Sequence, residues 1–347
     1  MANASRIWVV ALSLLTLIGC AASRGSIESK VVSESYLIPS GDPGIQLYIR
    51  NKHREGIKHF RTERTVIYVN GATQASEATF DLALDGYSWM DYLATRGYDV
   101  YFVDLRGYGP SSRPAEMHQA AADNAPVVRT STAVKDLGTA IDYVLSRREL
   151  PCLDVIGWSW GATIAGAYTA GHNDKVCRLV LYAPQWVRGV VAQGSEVPLG
   201  AYQAWTPPQG RDRLQAGTPA AQKDLIFPPD WFRKWSSAEL ATDPEGATLN
   251  PPVVRTPNGI FQDNREYWFA GKPLWNPAMV TVPTLVARGE WDEVTILGDT
   301  LGVFAALSNA RSKRMVVIGS GSHMVFIERN REQLFREVQL FLDEAVQ

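Results

Sequence analysis

The chain has 347 residues, of which 46% are hydrophobic, and its formal net charge is −2. A chain of this length and composition can bury a substantial core, and we expect one large domain that carries an insertion. The charge is close to neutral and no basic run or patch occurs, so the sequence lacks the usual signature of a nucleic-acid-binding protein. The cysteines and histidines show neither CxxC nor His-x-x-x-His spacing, so we predict no metal and no other cofactor.

The first 20 residues have the pattern of a targeting segment. Arg6 precedes an apolar run over 7–18, which is shorter than the roughly 20 residues that a membrane-spanning helix needs. The run ends in a Leu-Ile-Gly-Cys sequence that resembles a bacterial lipobox. This resemblance implies cleavage after Gly19, a signal peptide over 1–19 and lipidation of Cys20 as a membrane anchor. An ordinary secretory signal, cut after Ala22, is the alternative.

A tether is predicted to link this segment to the folded part. Small and polar residues follow the cysteine, and we expect a flexible tether over 20–35. Ala21 after the cysteine implies outer-membrane sorting in the Gram-negative lipoproteins that this segment resembles. The predicted location is therefore the bacterial cell envelope, on the periplasmic side or at the outer membrane.

Strand and helix patterns then alternate along the chain. Apolar runs predict eight strands, near 30–38, 45–50, 65–70, 98–103, 152–157, 177–183, 283–289 and 313–318. Helices are predicted near 87–96, 130–148, 160–172, 294–307 and 328–346. Such alternation with short connections predicts an α/β fold, with a mainly parallel sheet that helices cover on both faces.

The most informative motif is Gly157-Trp158-Ser159-Trp160-Gly161, a G-x-S-x-G sequence at the end of a predicted strand. A serine that turns sharply from strand to helix is held in a strained conformation with its hydroxyl exposed. The flanking glycines remove the side chains that would collide in so tight a turn. The motif therefore predicts a nucleophilic serine.

Two further candidates follow predicted strands in the same way. Asp292 comes after the run 283–287 and His323 after the run 315–318. The order Ser…Asp…His resembles that of the α/β-hydrolase fold superfamily, in particular its lidded serine esterases and lipases. This resemblance implies a catalytic triad of Ser159, His323 and Asp292. The alternatives are a surface histidine, a helix N-cap at Asp292, and Asp104 as a less well placed acid.

The oxyanion hole of such an enzyme uses two backbone N–H groups. The resemblance assigns them to Trp160, after the nucleophile, and to Ala72, in the loop after the third strand. Many members of the superfamily have His-Gly in that loop, whereas this chain has Asn70-Gly71, which is also an ordinary turn sequence. Gly71 and Trp158 are further candidates for contact with the substrate.

The resemblance also suggests structural roles for two cysteines and for an insertion. Cys152 and Cys177 precede strands that are neighbours in this fold, so these cysteines could form a disulfide or remain as two buried free thiols.

The stretch 187–278 breaks the α/β pattern and divides the predicted core into 36–186 and 279–347. In the superfamily such an insertion forms a lid, and its tryptophans either wall the pocket or form a small satellite core that packs the lid onto the main domain. Six tryptophans lie in or beside it: Trp186, Trp205, Trp231, Trp235, Trp268 and Trp275.

We therefore expect a serine hydrolase that cleaves carboxylic esters of apolar or aromatic substrates of moderate size. The same triad would also serve an amide, lactone or carbon–carbon bond hydrolase or an acyltransferase. A non-catalytic binding lipoprotein is the remote alternative. The expected partners are a small ester and, through Cys20, a membrane, and the oligomeric state is left open.

Overall fold

The structure, a computed structural model, describes residues 30–189 and 197–345. The predicted signal peptide, Cys20 and the tether up to residue 29 lie outside the described residues. No helix within the two described ranges has the length and apolar character to cross a bilayer.

The eight predicted strands form one sheet. Its order is β1-β2-β4-β3-β5-β6-β9-β10, and only β2 runs antiparallel to its neighbours. The prediction of a mainly parallel eight-stranded sheet is confirmed. Its strands are β1 (Val31–Pro39), β2 (Gln46–Arg54), β3 (Thr65–Val69), β4 (Asp99–Asp104), β5 (Leu153–Trp158), β6 (Val176–Tyr182), β9 (Thr284–Gly289) and β10 (Lys313–Ile318).

Both faces of the sheet are covered because successive side chains of a strand point to opposite faces. In β3, Ile67 and Val69 join one buried apolar cluster, whereas Val66 and Tyr68 join the other. Helices α2 (Thr130–Arg148), α3 (Trp160–Gly171) and α9 (Leu297–Ala306) contribute to the first cluster. Helices α1 (Trp89–Thr95) and α10 (Arg331–Asp343) contribute to the second.

Several boundaries differ from the sequence prediction, and three of these differences have a visible cause. The tether was predicted to extend to residue 35, but 31–35 belong to β1, where they pair with β2. Helix α9 begins at Leu297 rather than near 294, since the backbone N–H groups of Val294 and Thr295 bind a side chain instead. Helix α10 begins at Arg331 rather than near 328, since Glu328 is buried against the preceding loop.

The insertion between β6 and β9 folds into short elements of its own. A two-stranded antiparallel sheet pairs β7 with β8, and helices lie between and after these strands. Its elements are β7 (Tyr202–Trp205), α4 (Pro207–Leu214), α5 (Lys223–Ile226), α6 (Pro229–Ala241), α7 (Pro244–Ala247), β8 (Val254–Pro257) and α8 (Gly259–Asp263).

The tryptophans of the insertion mainly pack it onto the main domain. Trp235 is fully buried and stacks with Trp205 at 6.2 Å between ring centroids. Trp275 lies against α3, where a Cβ built on Gly166 would come within 2.5 Å of its ring. These contacts are those of the small-core alternative.

The structure joins Cys152 and Cys177 in a disulfide, with 5.5 Å between their Cα atoms. The bond links the starts of β5 and β6, which are adjacent parallel strands. It therefore ties together the amino ends of two central strands, of which the first carries the G-x-S-x-G motif at its other end.

Candidate active site

Ser159 occupies the sharp turn between β5 and α3. Its φ of 57° lies in the left-handed region, which costs free energy for a residue with a side chain. A Cβ on Gly157 would lie 2.2 Å from the carbonyl oxygen of Gly161, and one on Gly161 would lie 2.3 Å from that of Val69. Both glycines are thus required by close backbone approach. Ser159 itself is 7% exposed, at the carboxyl edge of the sheet.

The loop after β3 packs directly against this turn. A Cβ on Gly71 would lie 3.1 Å from the Cβ of Ser159, so the loop approaches the serine as closely as it can. The side-chain amide of Asn70 donates to the carbonyl oxygens of Gly71 and Gln74, at 2.9 and 2.8 Å. Asn70 therefore organises from within the loop that carries Ala72.

Trp160 is the first residue of α3. The first N–H groups of a helix have no partner within the helix, and they carry its positive dipole end. The N–H groups of Ala162 and Thr163 bind the carbonyl oxygen of Ser159, which fixes the first turn. The backbone N–H of Trp160 thus lies at the amino end of α3, directly after the serine.

His323 and Asp292 form a buried pair. His323 Nδ1 lies 2.8 Å from Asp292 Oδ2, and the two residues are 1% and 0% exposed. Burial alone would raise the pKa of Asp292, but the His323 charge and the hydrogen bonds from His323 and Thr295 outweigh it and hold the pKa below its ordinary value. Asp292 is therefore a buried carboxylate that accepts from the imidazole.

Backbone and hydroxyl donors hold this carboxylate in place. Oδ1 accepts from the N–H groups of Val294 and Thr295, at 2.9 and 3.0 Å, and Oδ2 accepts from the Thr295 hydroxyl at 2.8 Å. Asp292 thus makes cap-like bonds, as the N-cap alternative supposed, and pairs with His323 at the same time. Thr295 was not singled out from the sequence, although its position three residues after the aspartate is the local signal for such a bond.

Two residues at the carboxyl ends of β5 and β6 fix the histidine loop. The indole Nε1 of Trp158 and the hydroxyl of Tyr182 both donate to the carbonyl oxygen of His323, each at 3.0 Å. Since Trp158 directly precedes Ser159, these bonds bring the histidine loop against the serine turn. The Trp158 and His323 ring centroids are 5.2 Å apart.

Trp158, which the sequence suggests as a substrate contact, is instead fully buried. Its side chain is 0% exposed and packs against Phe326 beneath the site. The reason is strand alternation, which turns the last side chain of β5 into the second apolar cluster. Trp160 is equally buried, and its indole donates to the hydroxyl of Thr130.

Asp104, the other candidate acid, lies in a different environment. Its Oδ1 accepts from the N–H of Ser76 at 2.7 Å, and its backbone carbonyl accepts from the hydroxyl of Ser111. Burial raises its pKa to about 6. Its neighbour Arg106 pairs with Asp136 at 2.6 Å. These contacts organise the loop after β4.

The insertion reaches the site at one place that sequence reasoning missed. The backbone N–H of His323 donates to the carbonyl oxygen of Leu214 at 3.2 Å, and the guanidinium of Arg213 donates to the hydroxyl of Thr73. No local sequence pattern indicates these contacts. Within 30–189 and 197–345, no group of three or more His, Cys, Asp or Glu side chains is arranged to hold a metal ion.

Comparison with known proteins defines the family. Residues 65–330 match the alpha/beta hydrolase fold family, so more than half of the chain is covered. The chain belongs to the α/β-hydrolase fold family. The prediction of that fold class is thereby confirmed.

Individual relatives are more distant. The chain is 25% identical over 234 residues to 2-hydroxymuconate semialdehyde hydrolase from Pseudomonas sp. (strain CF600), which covers 66% of this chain and 71% of the relative. Among solved structures, the enol-lactonase from Burkholderia xenovorans LB400 is similar with a TM-score of 0.57 and 16% identity, over 89% of this chain and 100% of that one. A thermophilic esterase from Thermogutta terrifontis gives 0.55 and 17%, over 89% and 98%. The two structural likenesses extend to the fold alone.

Proposed function

We propose that the protein is a serine hydrolase that cleaves carboxylic esters through an acyl-enzyme. The observation that carries this proposal is the buried His323–Asp292 pair, 2.8 Å apart, held against the strained turn of Ser159. A serine hydroxyl is a weak nucleophile at neutral pH and needs such a base.

The proposed mechanism follows from the atoms in contact. Asp292 accepts from His323 Nδ1, which leaves Nε2 as the base that takes the proton from the Ser159 hydroxyl. The serine oxygen then attacks the ester carbonyl, and the N–H groups of Trp160 and Ala72 bind the resulting oxyanion. His323 returns the proton to the leaving alcohol. Water activated by His323 then hydrolyses the acyl-enzyme.

The insertion over 187–278 acts as a lid in this proposal. Its contacts with the site support that role, since Leu214 binds the backbone of His323 and Arg213 binds Thr73. A covered site excludes water and favours apolar or aromatic acyl groups of moderate size. Because its tryptophans are mostly buried, we expect few of them to touch the substrate.

Hydrolysis of a panel of p-nitrophenyl esters, from acetyl to palmitoyl, tests the proposal. Activity that disappears in Ser159→Ala, together with labelling of Ser159 by a fluorophosphonate probe, is the expected result. Equal inactivity of both proteins towards every ester would reject ester hydrolysis. A serine that the probe does not label would also reject the triad, and would favour the binding lipoprotein.

Carbon–carbon bond hydrolysis is the second candidate. The similarity to 2-hydroxymuconate semialdehyde hydrolase favours it, since that likeness is one of sequence and covers most of both chains. The same serine, base and oxyanion donors would serve either reaction. Relative kcat/KM on matched esters, amides, lactones and diketones separates these alternatives.

We further propose that the protein is exported and anchored through a lipid on Cys20. The apolar run, the Gly-Cys pair and the disulfide between Cys152 and Cys177 support export, since disulfides persist in oxidising compartments. Fractionation of bacterial cells tests this: the wild-type chain should enter the membrane fraction and Cys20→Ala should not. Equal partition of the two chains would reject the anchor.

A further inference from the structure

Arg213 lies between the two loops that carry the proposed catalytic groups. It belongs to the last turn of α4, and its guanidinium donates to the hydroxyl of Thr73, the residue after Ala72. The backbone carbonyl oxygen of the next residue, Leu214, accepts a hydrogen bond from the N–H of His323 at 3.2 Å. Helix α4 thus places a cation beside the oxyanion loop on one side and the histidine loop on the other.

This cation has no carboxylate partner in the described part of the chain. No Asp or Glu oxygen there comes within the 4.0 Å that defines an ion pair with its guanidinium, whereas Arg106 and Arg255 each pair with a buried aspartate at 2.6 and 2.7 Å. Burial lowers the pKa of Arg213 to about 10, against the opposing attraction of Tyr108 and Asp292. A charge that is largely withdrawn from water and has no ion-pair partner is costly, so its presence favours an anion that binds there.

Arg213 is also only partly buried. It keeps part of its surface accessible, whereas the neighbouring Leu214 is buried. An arginine offers five N–H donors in a planar fork. Thr73 uses only one nitrogen, which leaves donors free for a second acceptor.

We infer that Arg213 binds a carboxylate of the substrate, close to the carbonyl that Ser159 attacks. The fork of a guanidinium matches the two oxygens of a carboxylate, and such charge-assisted pairs fix orientation as well as affinity. The inference rests on the proposed function and narrows its substrates to acyl groups that carry an acid. The competing role for this cation is direct stabilisation of the oxyanion, which requires no acid on the substrate.

Matched esters distinguish the two roles. The monomethyl esters of succinate, glutarate and adipate are compared with neutral methyl esters in which an isopropyl group replaces the carboxylate. The measured quantity is the ratio of kcat/KM for the acidic ester to that for its neutral partner. In Arg213→Gln we expect this ratio to fall about 100-fold, and in Arg213→Lys to fall less, because a lysine keeps the charge without the fork.

Two outcomes would overturn the inference. An unchanged ratio in Arg213→Gln, with both rates lowered together, would assign Arg213 to the oxyanion or to folding, and an unchanged ratio with unchanged rates would give it no role. Arg233→Gln, an exposed arginine of α6, is the matched control and should leave the ratio as in wild type.

A binding measurement separates this inference from the proposed hydrolysis. Calorimetry on Ser159→Ala should detect binding of glutarate but not of neutral glutaramide, and Ser159→Ala with Arg213→Gln should lose it. If wild type cleaves no ester and glutarate still binds through Arg213, ester hydrolysis fails and the acid site stands. If glutarate does not bind to Ser159→Ala, the acid site is rejected, whatever the esterase result.

Discussion

At the scale of single residues, Asp292 shows how one carboxylate is prepared for a charged role. Three donors from Val294 and Thr295 and the imidazole of His323 surround its two oxygens. These interactions overcome the burial that would otherwise favour its neutral form. Asp104 has weaker compensation, from Ser76 and Arg50, and burial raises its pKa. Two aspartates near the same edge of the sheet therefore differ in pKa because their donors differ.

Replacing Asp292 by asparagine should lower kcat by about 10⁴-fold, because an amide neither stabilises the imidazolium nor fixes its tautomer. Asp104→Asn is the matched control, and its side-chain oxygen can still accept from Ser76. We expect it to retain activity within about tenfold of wild type. Steady-state kinetics on the best ester checks both variants. A larger loss in Asp104→Asn than in Asp292→Asn would make Asp104 the triad acid.

Gly157 is the second position where one residue decides the site. Its Cβ would meet backbone rather than a movable side chain, at 2.2 Å from the Gly161 carbonyl oxygen. Gly157→Ala should therefore destabilise the protein by about 3 kcal/mol, as overpacking against backbone does. Gly41→Ala, where the new methyl meets nothing within 4 Å, should change the free energy of unfolding little. Urea unfolding of both variants checks this, and equal stabilities would contradict it.

At the scale of elements, β5 and β6 position the site from both ends. The disulfide ties their amino ends, and at the carboxyl ends Trp158 and Tyr182 both hold the carbonyl of His323. The N–H of Ser159 also donates to the carbonyl of Tyr182, at 2.8 Å. The serine turn and the histidine loop are thus fixed to the same pair of strands.

Removing the disulfide should destabilise the fold without removing the site. Cys152 and Cys177 are 25 residues apart. Their bond restricts the unfolded chain, and the entropy lost there stabilises the folded state by about 3 kcal/mol. The double variant with alanine at both positions should lose stability of that order and become insensitive to reductant. Thermal unfolding with and without dithiothreitol measures this. If dithiothreitol lowers the unfolding temperature of wild type no more than that of the variant, the prediction is contradicted.

At the scale of the whole molecule, several carboxyl groups are buried without full compensation. Burial raises the pKa of Glu328 and of Asp154 to about 7, against hydrogen bonds from Ser322 and the charge of Arg178 respectively. Such groups hold a proton in the folded state that the unfolded chain has already released. Their contribution to the free energy of unfolding is therefore complete in mild acid and falls as the pH rises towards 7.

Glu328→Gln isolates this effect next to the active site. Glu328 has an ordinary pKa of 4.5 and a folded value of about 7, so wild type should lose about 3 kcal/mol relative to the variant between these pH values. Urea unfolding of both proteins from about pH 4.5 to about pH 8 gives the difference. A difference that does not change with pH would mean that Glu328 titrates as an exposed glutamate.

Much of this architecture could be predicted from the sequence because its signals are local. Apolar runs marked the eight strands of the sheet, and the glycines around Ser159 marked its turn. The positions of Asp292 and His323 after strands followed from the same periodicity. Parallel strands bring their carboxyl ends to one edge, so three such positions could be expected to meet there.

Contacts between distant residues were decided only by the tertiary structure. Arg213 meets Thr73 across 140 residues, and nothing near either residue indicates this pairing. The burial of Trp158, the choice of a disulfide over two thiols, and the packing of the insertion's tryptophans depend in the same way on how separate elements approach. Periodicity determines which residues form a strand or helix, whereas side-chain partners depend on distances that exist only once the chain has folded.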